Sequence, residues 1–348
     1  MQFKLPLFPE QASTVAPQVD YLYLFLVLVT TFFSLLIALL ILFFAIKYKR
    51  TPGRQAEQIH GSTLLEIVWT VIPLGISMVI FVWGAALYFH IQRPPANALQ
   101  IYGVGKQWMW KFQHPGGQRE INSLHVPTGR PVKVTLISQD VIHSFFVPVF
   151  RVKTDVLPSR YTATWFEATQ PGTYHLFCTQ YCGTKHSGMI GEVVVMKPEE
   201  FQSWLESGKA EGSMAANGEK LFQQFGCTTC HRSDSGARGP NLAGLYGRPV
   251  RLLDNRVVVA DDNYIRESIL NPNAKVVSGF QPVMPTFQGV VSEEGLLQII
   301  AYIKSLGEQG GEPLNNRSTP TQIRDSEVPG IQQQMQQNSK QKPSGKQP

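Results

Sequence analysis

Residues 178–189 read CTQYCGTKHSGM, and this short stretch carries four side chains that bind soft metal ions. Cys178 and Cys182 offer two thiolates, His186 an imidazole and Met189 a thioether. A blue-copper site for one ion needs a single Cys with two His and a weak Met, so the extra Cys calls for a second metal ion. Two bridging thiolates can hold two copper ions, each completed by one His, and the second His must come from elsewhere in the chain.

His143, in the segment DVIHSFFVP, is our candidate for that second histidine. It lies at the end of an apolar run upstream of the cysteine loop, as on a neighbouring strand of a cupredoxin-like fold. Taken alone, a His beside Phe145 and Phe146 is more often a hydrogen-bonded core residue than a ligand. Two alternatives also stay open: one disulfide per cysteine pair, and a zinc site, which leaves Met189 without a role.

The region around this loop has the pattern of an all-β domain. From residue 99 to about residue 197, short apolar stretches alternate with turn residues, which predicts a β-sandwich or Greek-key barrel. We predict a cupredoxin-like domain over 91–205, with strands within 101–112, 132–137, 161–166, 174–177 and 192–196.

Two long apolar runs precede this domain. Residues 21–46 contain no charged side chain, and residues 64–89 contain only Glu66. At about 26 residues, or about 39 Å of helix, each run exceeds the roughly 30 Å of bilayer hydrocarbon. Two such runs joined by a short loop predict a transmembrane hairpin over 21–90, with residues 1–20 as an arm outside the membrane.

The loop between the two runs carries four basic residues against one acidic residue, Glu57. The positive-inside rule therefore assigns this loop to the cytoplasm and both termini to the outer side. The formal net charge of +6 comes partly from this loop, and no basic stripe interleaved with aromatic residues indicates a nucleic-acid partner. The basic residues are Lys47, Lys49, Arg50 and Arg54.

The second cysteine pair belongs to a C-x-x-C-H segment, the attachment signature of c-type haem. Cys227 and Cys230 can form the two thioether bonds, and His231 can be the proximal iron ligand. The flanking segments GEKLFQQFG, GPNLAGLYGR and PVMPTF support this interpretation. We expect an all-α cytochrome c domain over 217–308.

Met284, in PVMPTF, is the candidate distal iron ligand, because the competing Met196 and Met214 both precede the haem-binding segment. A His/Met pair raises the iron's potential, which favours an electron carrier over an oxygen-binding protein. A stretch of small residues predicts a linker over 206–216, and a helix is predicted from Ser292 to the stop at Gly307. The Gln-, Ser-, Pro- and Lys-rich segment 309–348 predicts a disordered tail.

The segments HSFFVP, KTDVLPSR and CTQYCGTKHSGM resemble the copper-A domain of cytochrome c oxidase subunit II, and the helical hairpin before them has that subunit's layout. This resemblance covers about residues 20–200, and residues 212–308 resemble a small class I cytochrome c. The resemblance to the copper-A domain implies two bridging thiolates and one His on each copper ion. A thioether completes one copper site and a backbone carbonyl completes the other. These ligands are Cys178 and Cys182, His143 and His186, Met189, and the carbonyl of Gln180.

Three further residues acquire expected roles from the resemblance. Gln180 replaces a Glu whose carboxylate also binds magnesium in the family, and a neutral amide is a poorer ligand for that ion. Trp108 in QWMWKF matches the point at which electrons enter, although alternation with Trp110 on one strand face also predicts ordinary core. Glu66 in EIVWTVIP matches the mouth of a proton path, although with Thr63 it also predicts a capping box.

The resemblance implies subunit II of a haem–copper terminal oxidase in a bacterial inner membrane, with both metal domains on the periplasmic side. Electrons are expected to pass from cytochrome c, a similar small redox protein or a respiratory complex, through the haem to the copper pair. They continue to subunit I, where oxygen is reduced to water with proton translocation. Membrane lipid and other integral subunits are further partners. A copper-A nitric oxide reductase subunit and a stand-alone membrane-anchored electron carrier remain alternatives.

Overall fold

The computed structural model describes residues 8–53, 60–207, 212–234 and 236–308. Two long helices, α1 (Ala16–Lys47) and α2 (Thr63–Gln92), open the chain. Each is long and apolar enough to cross a membrane, and none of the residues in its most apolar window is buried within the protein. Apolar side chains that cover the outside of a helix need contact with lipid or with another protein. This hairpin therefore anchors the chain in a membrane.

Helix α2 begins with a different cap from the one that the sequence predicts. The Ser62 hydroxyl accepts a hydrogen bond from the Leu65 N–H, at 3.4 Å, which makes Ser62 the capping residue. Thr63 is already helical, and Glu66 stands one position beyond the residue that reaches back in a capping box. The predicted capping box of Thr63 and Glu66 is therefore wrong, and the cap lies one residue earlier.

Ten strands follow and form two five-stranded sheets. They are β1 (Leu99–Lys106), β2 (Met109–Gln113), β3 (Arg119–Ile121), β4 (Ser123–Pro127), β5 (Pro131–Ser138), β6 (His143–Val147), β7 (Val152–Val156), β8 (Thr162–Glu167), β9 (Gly172–Cys178) and β10 (Ile190–Met196). The sheet orders are β3-β2-β1-β5-β8 and β4-β10-β9-β6-β7. This sandwich confirms the predicted cupredoxin-like β domain.

An apolar core fills the space between the two sheets. Its largest side chains are almost fully buried, and the rings of Trp110 and Phe145 meet edge to face with centroids 5.8 Å apart. Burying such rings is the main stabilising contribution of a sandwich core. The aromatic members are Trp110, Phe112, Phe145, Phe150 and Phe166.

The predicted strand over 101–112 is two strands, because β1 and β2 pair antiparallel across a turn. Gln107 and Trp108 lie in that turn, between the end of β1 and the start of β2. The prediction that Trp108 and Trp110 alternate along one strand is therefore wrong. Only Trp110 is a strand residue, while Trp108 packs against the core from the turn.

The residues before α1 join the β domain. Ser13 forms an antiparallel bridge with Ala168. Asp20, in the second turn of α1, accepts two hydrogen bonds from the Arg151 guanidinium, at 2.8 and 2.9 Å. Arg151 also donates to the Pro9 carbonyl, at 2.9 Å. These contacts fasten the membrane anchor to the β domain.

The remaining part of the chain is mainly helical. It comprises α3 (Pro198–Ser207), α4 (Met214–Gln224), β11 (Pro249–Arg251), β12 (Val257–Val259), α5 (Asp262–Leu270) and α6 (Glu293–Glu308). Helix α6 confirms the helix predicted from Ser292, while the β11–β12 hairpin departs from the expected all-α domain. The predicted linker is helical at both ends, since α3 ends at Ser207 and α4 begins at Met214. The predicted tail, 309–348, lies outside the described residues.

Candidate metal and cofactor sites

The first cysteine pair lies on one loop between β9 and β10. Cys178 is the last residue of β9, and Met189 directly precedes β10. A 3₁₀ turn over His186–Gly188 reverses the chain, and the Cys178 N–H donates to the Met189 carbonyl at 3.3 Å. The loop therefore closes on itself and brings its soft donor atoms to one point.

The donor atoms of this loop and of His143 form one cluster. The Sγ atoms of Cys178 and Cys182 are 3.8 Å apart. The His143 Nδ1 lies 3.9 Å from the Cys178 sulfur, and the His186 Nδ1 lies 3.5 Å from the Cys182 sulfur. The Met189 Sδ is 3.9 Å from the Cys182 sulfur. Each thiol thus has its own imidazole, and the thioether lies on the Cys182 side.

Gln180 meets the cluster through its backbone. Its carbonyl oxygen is 3.3 Å from the Cys178 sulfur, while the residue itself is exposed. All four cysteines, including Cys227 and Cys230, are free, so neither pair forms the disulfide that was kept as an alternative. The six residues that the sequence singles out for the copper site therefore lie together in the folded chain.

His143 is oriented by Asp140, a residue that the sequence argument missed. Strand β6 begins at His143, and the pairing of Phe145 with Cys178 sets β6 beside β9. The His143 Nε2 lies 2.8 Å from an Asp140 carboxylate oxygen, which leaves Nδ1 facing the thiols. Metal-binding imidazoles are commonly held this way by a carboxylate. The Asp three positions before the His in DVIH was the available signal.

The two buried thiols cannot both ionise easily without a cation. Burial opposes ionisation of Cys178, but hydrogen bonds, the first of them with the His143 ring, hold the pKa of that thiol at about 6. Burial, together with the neighbouring Cys178 charge, raises the pKa of the Cys182 thiol to about 12. A cationic metal pair would remove this conflict, because it would neutralise two thiolates at once. The donor chemistry therefore fits a dinuclear soft-metal site.

Trp108 contacts the backbone of the cluster. Its indole Nε1 donates to the Cys182 carbonyl at 3.1 Å, and the Gln107 side chain donates to the same oxygen at 2.8 Å. A Cβ on Gly183, whose φ is +112°, would lie 3.2 Å from the indole, so a larger residue there would crowd the ring. Gln107 was not identified from the sequence. Glu66 is not part of this cluster and is exposed in the first turn of α2.

The C-x-x-C-H segment forms a tight turn directly after α4. The His231 N–H donates to the Cys227 carbonyl at 3.0 Å, and the His231 Nδ1 lies 2.9 Å from the Pro240 carbonyl. Because Nδ1 is engaged, Nε2 is the ring atom left for a metal. A Cβ on Gly239 would lie 2.8 Å from the His231 ring, so only glycine allows this approach.

These residues line an open cavity of about 220 Å³ in the helical domain. Cys227, Cys230 and His231 share its wall with Met284, and most other lining residues are apolar. A hydrophobic cavity that presents two thiols, an imidazole and a thioether fits a covalently attached haem. The apolar wall includes Phe222, Phe225, Leu242, Ile269, Phe287 and Ile303.

Comparison with known families agrees with both sites. The sequence profile of the transmembrane domain of cytochrome c oxidase subunit II matches residues 1–87, and the profile of that subunit's periplasmic domain matches residues 115–197. The chain belongs to the cytochrome c oxidase subunit II family. A third profile, cytochrome c oxidase, cbb3-type, subunit III, matches residues 213–303, which contain the C-x-x-C-H segment.

Curated relatives carry the same subunit name. Cytochrome c oxidase subunit 2 of Alkalihalophilus pseudofirmus is 28% identical over 311 residues, covering 83% of this chain and 88% of that protein. The subunit 2 of Thermostichus vulcanus is 28% identical, covering 59% of this chain and 79% of its own. Among solved structures, the periplasmic domain of subunit II of cytochrome oxidase from Bradyrhizobium japonicum is 31% identical, covering 35% of this chain and 100% of that one, with a TM-score of 0.33.

The chain thus combines the two domains of an oxidase subunit II with a cytochrome c-type domain. We call residues 99–196, which hold the ten strands, the copper domain, and residues 212–308 the cytochrome domain. Within this subunit II, both candidate sites are built from residues that the sequence identifies, and the supporting contacts of Asp140 and Gln107 emerge only from the fold.

Proposed function

We propose that this subunit II passes electrons from an external donor through a covalent haem c to a dinuclear copper centre, and on to subunit I, where oxygen is reduced to water. The observation that carries the proposal is the pair of cysteine sulfurs 3.8 Å apart with one imidazole against each. An arrangement of two bridging soft ligands and two terminal imidazoles holds two copper ions that share one exchanged electron.

At the copper centre, the protein would supply the metal-binding atoms and a buried environment for them. Cys178 and Cys182 would bridge the two ions, and His143 and His186 would each bind one. Met189 and the Gln180 carbonyl would complete the two sites. His143, Cys178, Cys182 and Met189 are all buried, so water is excluded and little reorganisation is needed when the charge of the pair changes. Asp140 would hold the His143 ring in one orientation.

At the haem site, residues of the chain would hold a cofactor that carries a single electron. Cys227 and Cys230 would form the two thioether bonds, and the Pro240 carbonyl would keep the His231 Nε2 free for iron. Met284 lines the same cavity and is the proposed distal ligand. Because a thioether favours the reduced iron, this ligand pair would set a potential suited to receiving electrons.

We further propose that the copper and cytochrome domains lie on the periplasmic side of a bacterial inner membrane. The basic loop between the two helices supports this orientation by the positive-inside rule. Glu66, which opens α2 on the cytoplasmic side in this orientation, is then the proposed mouth of a proton path in the complex. Trp108 is the proposed point at which electrons enter the copper domain, supported by its hydrogen bond to the Cys182 carbonyl.

The test uses the purified complex with its partner subunits. We expect oxygen uptake driven by reduced cytochrome c or a similar small redox protein, together with the electron paramagnetic resonance spectrum of a shared-valence copper pair. Consumption of nitric oxide without oxygen uptake would assign the chain to a nitric oxide reductase. Purification without any many-helix, haem-bearing partner would favour a stand-alone electron carrier.

A further inference from the structure

The cytochrome domain covers one face of the copper domain. Tyr102 and Val104 of β1 and Ile137 of β5 are 7%, 2% and 0% exposed, and they share a buried cluster with side chains of the cytochrome domain. The middle of β1 is therefore buried on both of its faces. A sandwich strand at an outer surface normally alternates buried and exposed residues, so β1 has a second apolar partner here.

Two polar contacts cross this interface near the start of α6. The Lys111 Nζ, on β2, lies 2.6 Å from the Glu294 carboxylate of α6. Burial works against ionisation of Glu294, but the Lys111 ammonium holds the pKa of that carboxyl below its usual value. The Tyr161 N–H of the copper domain donates to the Asn263 side chain of α5 at 2.7 Å.

Arg266 makes a third connection. Its guanidinium pairs with Glu293 of α6 at 2.5 Å and donates to the Ser159 and Pro158 carbonyls of the copper domain, at 3.0 and 3.3 Å. Arg266 is 8% exposed, so these carbonyls take the place of water around a buried cation. An Arg with its donors shared between two domains fixes their relative orientation, because the guanidinium is planar and rigid.

A partly buried ammonium lies at the other end of the interface. The Lys304 Nζ of α6 lies 2.7 Å from an Asp262 oxygen and 3.5 Å from the Tyr102 hydroxyl of the copper domain. It also lies 4.5 Å from the centre of the Tyr246 ring. Burial disfavours this charge, but Asp262 and the two tyrosines raise the pKa of Lys304 above its usual value. Contacts at both ends of α6 therefore hold this helix against the copper domain.

Both sides of the short connection between the domains are fastened to the copper domain. The Gln118 side chain donates to the Leu205 carbonyl at 2.7 Å, just before the connection. Just after it, the Met214 N–H donates to the Pro115 carbonyl at 3.1 Å. The chain therefore enters and leaves the connection beside the same turn of the copper domain.

The covered face is next to the candidate copper site. Tyr102 and Val104 point from β1 toward the cytochrome domain, whereas a Cβ on Gly105 would lie 3.0 Å from the His143 ring. On the other side of the interface, Ile299 and Ile303 of α6 line the haem cavity. One strand and one helix therefore separate the two candidate sites.

We propose that the cytochrome domain is a permanently docked module, held on the β1–β5 face by this interface and not by the connection. Its orientation is then fixed, and this face is closed to any free cytochrome. The functional meaning of the dock rests on the proposed function, since it would set a constant separation between haem and copper. The dock itself depends only on contacts between side chains of this chain.

The experiment inserts a protease recognition sequence between residues 207 and 212 of the full chain and cleaves it in the purified oxidase complex. Gel filtration at physiological salt, followed by mass spectrometry of the fractions, reports whether the C-terminal fragment stays with the membrane-bound part. We expect it to co-elute. Complete release of the fragment on cleavage would overturn the proposal and show that the connection alone holds the domain.

Variants locate the interface. Lys111→Glu sets two carboxylates against each other and should raise the dissociation constant of the cleaved fragment on the order of tenfold. Combining Lys111→Glu with Glu294→Lys should restore retention. Arg256→Glu makes the same charge change in an exposed ion pair with Asp254 and should leave retention unchanged. Equal retention of the Lys111→Glu and parent fragments would contradict the proposed interface.

The same samples separate this proposal from the proposed function. Haem content and the copper spectrum are recorded before cleavage, and fragment retention is read from polypeptide mass. Missing haem or copper with a retained fragment would count against the electron-transfer role and leave the dock supported. A released fragment that carries haem, beside a normal copper spectrum, would count against the dock alone.

Discussion

The sulfur atoms of Cys178 and Cys182 lie 3.8 Å apart at the end of β9, each with an imidazole nitrogen within 3.9 Å. A single blue-copper ion would use only one of these sulfurs, whereas two bridged ions use both. The predictions for the copper site all depend on this relationship.

Cys182→Ser is expected to abolish the shared-valence copper pair and leave the membrane hairpin assembled, because one thiolate cannot bridge two ions. Electron paramagnetic resonance of the purified complex is the measurement. Ser187→Ala, in the same loop and exposed, is the matched control and should keep the parent spectrum. A dinuclear spectrum that survives in the Cys182→Ser protein would refute the assignment.

Gln180→Ala is expected to leave the copper spectrum nearly unchanged. Only the backbone carbonyl of Gln180 contacts the cluster, and alanine keeps that oxygen. The measurement is copper content together with the resonance spectrum. Loss of copper in this variant would show that the amide side chain is itself a ligand.

Asp140→Asn is expected to weaken copper binding on the order of 10- to 100-fold, because the carboxylate that orients His143 at 2.8 Å is lost. Titration with a copper chelator measures the affinity. Asp155→Asn removes a carboxylate from an exposed pair with Lys153 on β7 and should not change it. Equal chelator resistance of the two variants would mean that Asp140 does not support the site.

Met284→Ala is expected to lower the haem potential, on the order of 100 mV, and to leave the copper spectrum normal. Oxidase turnover with the natural donor should slow, because the first acceptor becomes harder to reduce. Redox titration of the haem absorbance gives the potential. Met196→Leu, on β10 outside the haem cavity, is the control, and an unchanged potential in Met284→Ala would identify another distal ligand.

The copper domain should lose stability in acid through Glu120. Burial opposes its ionisation, but hydrogen bonds from His114, at 2.8 Å, and from His125 hold the pKa of Glu120 below its usual 4.5. A carboxyl whose pKa is lower in the folded than in the unfolded protein stabilises the fold at pH values above its unfolded pKa. This stability is lost as the pH falls below about 4.5. The measurement is the melting temperature of the solubilised protein as a function of pH across this range. As the pH is lowered, the melting temperature should fall less steeply in Glu120→Gln than in the parent protein. The control Glu192→Gln, at an exposed position, should keep the parent slope. Equal slopes in all three proteins would exclude Glu120.

The hairpin and the sandwich were predictable because each follows from a local pattern of apolar length or alternation. The spacing within residues 178–189 likewise indicated a soft-metal site, whereas the complete ligand set came from the family resemblance and stays a prediction. Features that join distant segments were not predictable. Lys111 and Glu294 are 183 positions apart, and no local pattern links them. The turn at Trp108 lies in the stretch IYGVGKQWMWKF, which contains no Pro, Asn or Asp to mark it, and the cap at Ser62 competed with an equally good pattern one residue later.

Asp140 shows an intermediate case. Its spacing from His143 was visible in the sequence, but an acid three residues before a His has many uses on a loop. Its role becomes clear only in the folded chain, where β6 lies beside β9 and the His143 ring lies between Asp140 and Cys178. The proposed docking of the cytochrome domain was likewise unpredictable, because small residues at 207–216 are typical of a flexible linker.

The order in which the two sites are reduced tests the account most directly. Rapid mixing of the oxidised complex with its reduced donor, followed at separate haem and copper absorbance bands, resolves the two events. The account predicts that the haem is reduced first, and that the copper follows at a rate independent of donor concentration. Reduction of the copper before the haem would contradict it, because electrons would then reach the copper domain without passing through the cytochrome domain.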